Sequence, residues 1–313
     1  MAGGEAERLV AAVDIGGTKV AAALVDADGN LTAGARRPTP ARAGAEVVLK
    51  TVLDLIDELA TDPRWPEVTA VGIGSAGPVD ASAGTVSPVN IPAWRGFPLV
   101  EQVGAHPAVR VPVTLIGDGT AIAEAEHWLG AAAGHRSALC MVVSTGVGGG
   151  LVLDGRVHAG LTGNAGHIGH ISVDLHGDPC PCGSVGCVEG LASGTAIARY
   201  ALAHGWRAPG ADASAAAVAE SARAGDPVAL AAFDRAARAL AAGIAATATL
   251  VEIEAVVIGG GVAQCGPVLF EPLARHLDTF AALPFVRGIQ VHRARLGTDA
   301  GLVGAAAAAL RIR

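Results

Sequence analysis

The sequence predicts an α/β protein built twice, as two lobes that each carry a strand, a glycine turn and a second strand. Three observations carry this reading. Val- and Ala-rich apolar runs end in glycine clusters at DIGGTK (14–19), STGVGGG (144–150) and Gly259-Gly260-Gly261, and short apolar runs punctuated by Gly read as buried strands leaving into turns. After the first two clusters another apolar stretch follows at once, so the second half repeats the plan of the first. Segments with helical apolar spacing lie between, and alternation of strands with helices is the pattern of an α/β domain.

Composition bounds the partners. At 313 residues the chain is long enough for two lobes, each with its own core. A net charge of −7 with no Lys/Arg cluster argues against a nucleic-acid surface. Apolar residues make up 51%, mainly Ala and Val, with only 3% aromatics, which suits helices packed closely on sheets. No apolar run reaches the roughly 18 residues of a membrane span, and the opening MAGGEAERLV lacks a basic region followed by an apolar core. A cytoplasmic protein with no membrane partner is expected.

Taken in order, residues 9–15 (LVAAVDI) form a strand ending in an acid, and the Gly-Gly turn that follows lets backbone amides approach a phosphate, with Thr18 adding a hydroxyl. A second strand at 20–25 leads to the DADGN turn at 26–30. The motif lacks the G-x4-G-K-[ST] pattern of a Walker loop. Helical spacing covers 44–60, and a strand at 68–73 runs into GSAGPVD, where Ser75 stands on a Gly-rich turn. The loop SPVNIPAW (87–94) exposes Asn90, whose amide can both donate to and accept from a hydroxyl. A strand at 111–116 meets an Ala-rich helix over about 120–132, and Asp118 lies at the junction. Open α/β sheets put catalytic groups there, and the positive end of a helix favours a carboxylate. The plainer role for Asp118 is to cap the helix.

In the second half, a strand at 138–143, the turn 144–150 and a strand at 151–153 repeat the first hairpin, and two such turns could grip a polyphosphate. Helices are expected at about 193–204, 214–223 and 227–249, then a strand at 255–258 leading into the third glycine cluster, and a helix at 298–310. Between these halves lies GLTGNAGHIGHISVDLHGDPCPCGSVGCVE (160–189). Cys180, Cys182 and Cys187 are spaced C-x-C-x4-C, with His170 ten residues upstream of the first. Three thiolates and an imidazole make a structural zinc site with no open coordination position. A disulfide between two of the cysteines, or three buried thiols, is the alternative. Cys140 and Cys265 stand alone in apolar surroundings, as core residues do.

Taken together, DIGGTK, GIGSAGP, STGVGGG, GNAGHIGH, CPCGSVGCVEGLASG and the DAGLVGAA ending resemble the ROK family of sugar kinases and related repressors. The resemblance covers nearly the whole chain, and the wording at STGVGGG and AGHIGH is similar to bacterial N-acetylmannosamine kinases. It implies an actin-like ATPase (ribonuclease H-like) fold with two lobes and a cleft between them. Residues 1–118, completed by a C-terminal helix at about 299–313, would form the small lobe, and 119–298 the large lobe. It further implies ATP-dependent phosphorylation of a sugar 6-hydroxyl with magnesium, Asp118 being the general base. Asp14, Gly16, Gly17, Thr18 and Lys19 would lie at the phosphates, as would Ser144, Thr145, Gly146 and Gly148, while Gly259, Gly260 and Gly261 would border the adenosine. Ser75, Asn90, Asn164, His167, His170 and Glu189 would line the sugar pocket, and His170 would join the three cysteines on zinc. A homodimer or homotetramer is implied.

The sequence departs from the family pattern at Gly117 and Thr120, where Asn is usual, and at His167, where Glu is usual. All three departures fall on the sugar side and leave the phosphate side whole. N-acetylmannosamine and glucose are therefore the alternative substrates. A sugar-responsive repressor, the family's other branch, would carry a DNA-binding helix-turn-helix before the DIGGTK hairpin, and here only about eight residues precede the first strand.

Overall fold

The structure, a computed structural model, describes residues 8–311. Residues 1–7 and 312–313, the ends of the segments expected for the first lobe, lie outside that range. From the N-terminus the elements are β1 (Leu9–Ile15), β2 (Lys19–Val25), β3 (Leu31–Pro38), α1 (Ala45–Ala60), β4 (Val68–Ser75), β5 (Val79–Asp80) and β6 (Thr85–Val86). There follow α2 (Leu99–Gly104), β7 (Val113–Gly117), α3 (Asp118–Trp128), β8 (Ala138–Val143), β9 (Val147–Leu153) and β10 (Arg156–His158). The remainder comprises α4 (Val188–Ala192), α5 (Gly194–Ala203), α6 (Ala215–Arg223), α7 (Pro227–Val251), β11 (Ala255–Gly259), α8 (Pro267–Phe280), β12 (Gln290–Arg293) and α9 (Ala300–Arg311).

These elements gather into two compact units. One runs through Gly130 and takes in Val157–Ala165 and the stretch from Thr298; the other comprises Ala131–Arg156 and Gly166–Gly297. In the first unit the strand order is β3-β2-β1-β4-β7. The β1–β2 and β2–β3 pairs are antiparallel, whereas β1, β4 and β7 are parallel. Side chains alternate along β1, so Ala11, Val13 and Ile15 meet Val52, Leu55 and Ile56 of α1 in one core. Val10 and Ala12 face the other way, onto Leu302, Ala305 and Ala309 of α9. A strand covered on both faces reads as an unbroken apolar run, which is why LVAAVDI shows no polar alternation.

Within the second unit β8 lies between β9, antiparallel, and β11, parallel, with β12 parallel beyond. This arrangement of hairpin and parallel strands repeats that of β2-β1-β4-β7. The core joins Leu139, Met141, Val256 and Ile258 of the sheet to Phe233, Leu240 and Ile244 of α7 and Leu269 and Leu273 of α8. Helix α7 starts where the Asp226 carboxylate accepts the N–H groups of Val228 and Ala229, with Pro227 at the first helical position.

The expected strands and helices are found, with ends shifted by a few residues. Apolar periodicity assigns nothing to β3, α2 or α8, and each has a local reason. Strand β3 (LTAGARRP) alternates half-buried with exposed residues, and Gly, Arg and Pro mask its pattern. Helix α2 is only six residues long and follows Pro98, and α8 carries Pro272 in its interior, a residue that argues against a helix. STGVGGG also differs from a long turn: the turn is only 144–146, and Gly148, Gly149 and Gly150 pair in register with Val142, Met141 and Cys140. Glycine is poor strand material, but here the 166–168 segment lies directly on the bare face of Gly149.

Candidate active site

In the first unit, parallel register sets Ile15 beside Ser75 and Ser75 beside Gly117, so three strand ends share one edge. The DIGGTK turn leaves β1 there, Ala76 leaves β4, and Asp118 opens α3 from β7. The turn is closed by the Gly16 N–H donating to the Lys19 carbonyl at 2.9 Å. Thr39 braces it from outside: its hydroxyl donates to the Gly16 carbonyl (2.7 Å) and its N–H to the Thr18 carbonyl (3.0 Å). Nothing local in the Pro-rich loop that bears Thr39 signals this role.

Asp118 is the first residue of α3, and Gly117 occupies the cap position. Partly buried, Asp118 accepts the Gly119 N–H on Oδ1 at 2.7 Å. Asp14 lies one residue before the end of β1. Burial pushes its carboxyl up to about 6; Lys19 and Arg36 oppose the shift and the charge of Asp118 adds to it. A carboxylate held this way is relieved by a cation, so the residues present fit a magnesium ion at this edge.

The other expected residues of this unit divide. Asn90 is exposed, and its side chain lies over the Cα of Gly17. Asn164 is occupied: its amide donates to the Val79 carbonyl (2.7 Å) and the Thr162 hydroxyl (2.9 Å), and its oxygen accepts the Val79 N–H (3.1 Å). Both amide hydrogens are spent, and Asn164 fastens the 157–165 segment to β5. Ser75 is fully enclosed and donates to the Ala76 carbonyl at 3.0 Å, so it holds the end of β4 and presents no outward hydroxyl. Thr120, also buried, points its hydroxyl at the Gly163 carbonyl, 3.4 Å away.

In the second unit the turn 144–146 is closed by the Ser144 N–H donating to the Gly146 carbonyl (2.8 Å). The Gly194 N–H at the start of α5 donates to the Ser144 carbonyl (2.7 Å), and the Thr195 hydroxyl to the Thr145 carbonyl (3.2 Å). Glu189, in the first turn of α4, accepts the Val147 N–H at 2.9 Å. Because Val142 pairs with Gly259, the cluster Gly259–Gly261 leaves the same sheet edge, and the Val262 N–H donates to the Val143 carbonyl (3.0 Å). Thr145, Glu189, Cys180, Cys187 and Arg199 help line a cavity of about 200 Å³.

The cysteine loop converges as its spacing suggests. Ligand atoms of His170, Cys180, Cys182 and Cys187 all lie within 4.8 Å of one another. Cys182 Sγ and Cys187 Sγ are 3.7 Å apart, and Cys180 Sγ is 3.8 Å from His170 Nδ1. A tetrahedral zinc with bonds of about 2.3 Å to sulfur requires edges of about 3.8 Å, so the donor set fits zinc. Burial pushes the Cys187 thiol up to about 12, helped by hydrogen bonds and charge from Cys180 and Cys182. The Ser184 N–H instead lowers Cys182. A cation would take the place of these protons, so binding would release them. The five cysteines are free thiols. His167 is exposed and its ring stacks on that of His170, centroids 5.6 Å apart.

The profile of the ROK family matches residues 10–312. The chain belongs to the ROK family. This ROK protein is 36% identical over 315 residues to a glucokinase of Streptomyces coelicolor, an alignment spanning 95% of this chain and 96% of the relative. It is likewise 36% identical over 297 residues to an N-acetylmannosamine kinase of Yersinia pseudotuberculosis, spanning 94% and 96%. Among solved structures, a ROK family glucokinase from Streptomyces griseus in complex with glucose and AMPPNP superposes with a TM-score of 0.81 at 35% identity, covering 97% of this chain and 99% of that one. The duplicated sheets are thus the two halves of an actin-like ATPase fold.

Two tests follow from the charges in these sites. Purified protein should hold about one zinc per chain by elemental analysis, and chelation should lower Tm by more than about 5 °C; zinc-free protein of unchanged Tm would discard the site. Asp14→Asn, measured without nucleotide or magnesium, should stabilise the fold at pH 7.5 by on the order of 1–3 kcal/mol. The native pKa of about 6 exceeds the ordinary 3.8, so native Asp14 holds its proton more tightly and the cost of charging it grows as pH rises between them. The gain should fade as pH falls toward 3.8; equal stability at pH 7.5 would refute the assignment.

Proposed function

We propose that this ROK protein transfers the γ-phosphoryl group of ATP to the 6-hydroxyl of a hexose or N-acetylhexosamine, N-acetylmannosamine or glucose, with Asp118 as the general base. That it is a sugar kinase follows from relatives aligned over nearly their whole length. The observation that carries the choice of base is the shared edge: Asp118 starts α3 beside the exit of the DIGGTK turn.

In this reading the first unit, completed by α9, is the base-bearing lobe and the second is the zinc-bearing lobe. Gly16, Gly17, Thr18 and Lys19, with Ser144, Thr145, Gly146 and Gly148, receive the phosphates through backbone amides, the Lys19 ammonium and hydroxyls. Gly259, Gly260 and Gly261 border the adenosine. Asp14 would hold the magnesium, which when bound neutralises phosphate charge. Phosphoryl transfer asks for positioning and charge neutralisation more than covalent chemistry, so one carboxylate that accepts the hydroxyl proton suffices. Asn90, His167, His170 and Glu189 take the sugar's other hydroxyls. His170 can serve sugar and zinc together, since Nδ1 faces Cys180 and Nε2 is left for a hydroxyl. Asn164 acts through Val79 and is a positioning residue.

An ADP-release assay across glucose, mannose, fructose, N-acetylglucosamine and N-acetylmannosamine tests the reading, and no turnover with any of them would end it. Asp118→Ala should cut kcat by about 10²-fold or more while the sugar still binds; a variant of near-normal kcat would remove the base assignment. His167 puts a group that can donate a hydrogen bond where an anionic acceptor is usual, which favours N-acetylmannosamine. His167→Glu should shift kcat/KM toward glucose, and an unchanged profile would place His167 outside the pocket.

A further inference from the structure

Two glycines of the phosphate turns have no backbone reason to be glycine. Gly17 and Gly146 are absent from the positive-φ positions of the described chain, so an L-residue could adopt either conformation. What each lacks is room. A Cβ on Gly17 would lie 2.7 Å from Asn90 Cγ, and one on Gly146 would lie 2.5 Å from Glu189 Oε2. The same contact therefore occurs once in each unit, on the equivalent hairpin: a turn assigned to phosphate has its bare face covered by a side chain assigned to sugar. In the second unit the contact is also bonded, because the Glu189 carboxylate accepts the N–H of Val147, the residue next to Gly146.

We propose that Gly17 and Gly146 are positioning residues for the sugar ligands Asn90 and Glu189, each turn offering its amides to the nucleotide and its bare Cα to a sugar ligand. This rests on the kinase reading above. A methyl group at either position meets a side chain and not the main chain, the whole of Asn90 from Cβ outward at Gly17 and the carboxylate end of Glu189 at Gly146, so the side chain must give before the turn does. Alanine at a turn given over to the nucleotide should consequently damage sugar binding first. In the opposite direction, Glu189 holds the turn through Val147, and its loss should loosen the nucleotide's seat.

The test is calorimetric titration of the preferred sugar into Gly146→Ala and Gly17→Ala with no nucleotide present. Sugar affinity should fall about tenfold or more, as expected when a ligand is displaced by a fraction of its length. In Gly146→Ala/Glu189→Asp, the shorter acid makes room for the methyl and part of the affinity should return. Sugar affinity unchanged, with nucleotide affinity lost instead, overturns the proposal. Should Gly146→Ala fail to fold, Glu189→Ala decides: AMPPNP binding without sugar should weaken about fivefold, the worth of one hydrogen bond, and unchanged AMPPNP binding overturns the proposal. Wild-type protein that binds no hexose would sink the kinase reading itself, a result distinct from either.

Discussion

Strand register is the constraint on which the rest depends. In the first unit Ile15, Ser75 and Gly117 are held level by two parallel ladders, so a slip of one residue in β7 would carry Asp118 away from the DIGGTK turn and reverse every side chain of the strand. The second unit uses the same device, with Val142 level with Gly259. Register in turn is set by burial on both faces, since α1 and α9 each demand their own set of side chains from β1. A chain with so few aromatics meets that demand with small residues, and the alanines of α9 allow the helix to lie close over the sheet.

Electrostatics divides the two units. The first collects carboxylates at its strand edge, and Asp14 shows the cost, held partly buried near another acid. The second collects thiols, and Cys187 shows the same cost with a different group. In both, burial is the larger cause and the neighbouring like groups the smaller one, and a bound cation would relieve either. The loop that would hold zinc also runs into Glu189, because α4 starts at the residue after Cys187. The shape of that loop and the placing of the Val147 bond are therefore one problem.

Much of this was legible in the chain. Glycine clusters after apolar runs marked the hairpins, and C-x-C-x4-C with an upstream His marked the cysteine loop, because turn chemistry and ligand spacing are local properties. What stayed hidden was long-range. The resemblance sets Asn164 in the sugar pocket, and only the fold shows it hydrogen-bonded to Val79. Thr39 braces Gly16 from a different loop, and Ser75 looks like a rim residue until its burial is seen. The glycines of STGVGGG mislead for a related reason: composition argues for a turn, while the close approach of 166–168 makes glycine the residue that fits a strand there.

Helix α9 lies under β1 and β4 and against α3, yet it follows every element of the second unit in the chain. During translation the ribosome therefore delivers the strand edge that carries Asp14 and Asp118 long before the helix that covers its back. Until α9 arrives, Val10, Ala12, Ala21 and Ala23 have no partner on that face. The half of the molecule made first is the half completed last, and a nascent chain stalled anywhere in the second unit would leave an apolar sheet open to chaperones or to aggregation.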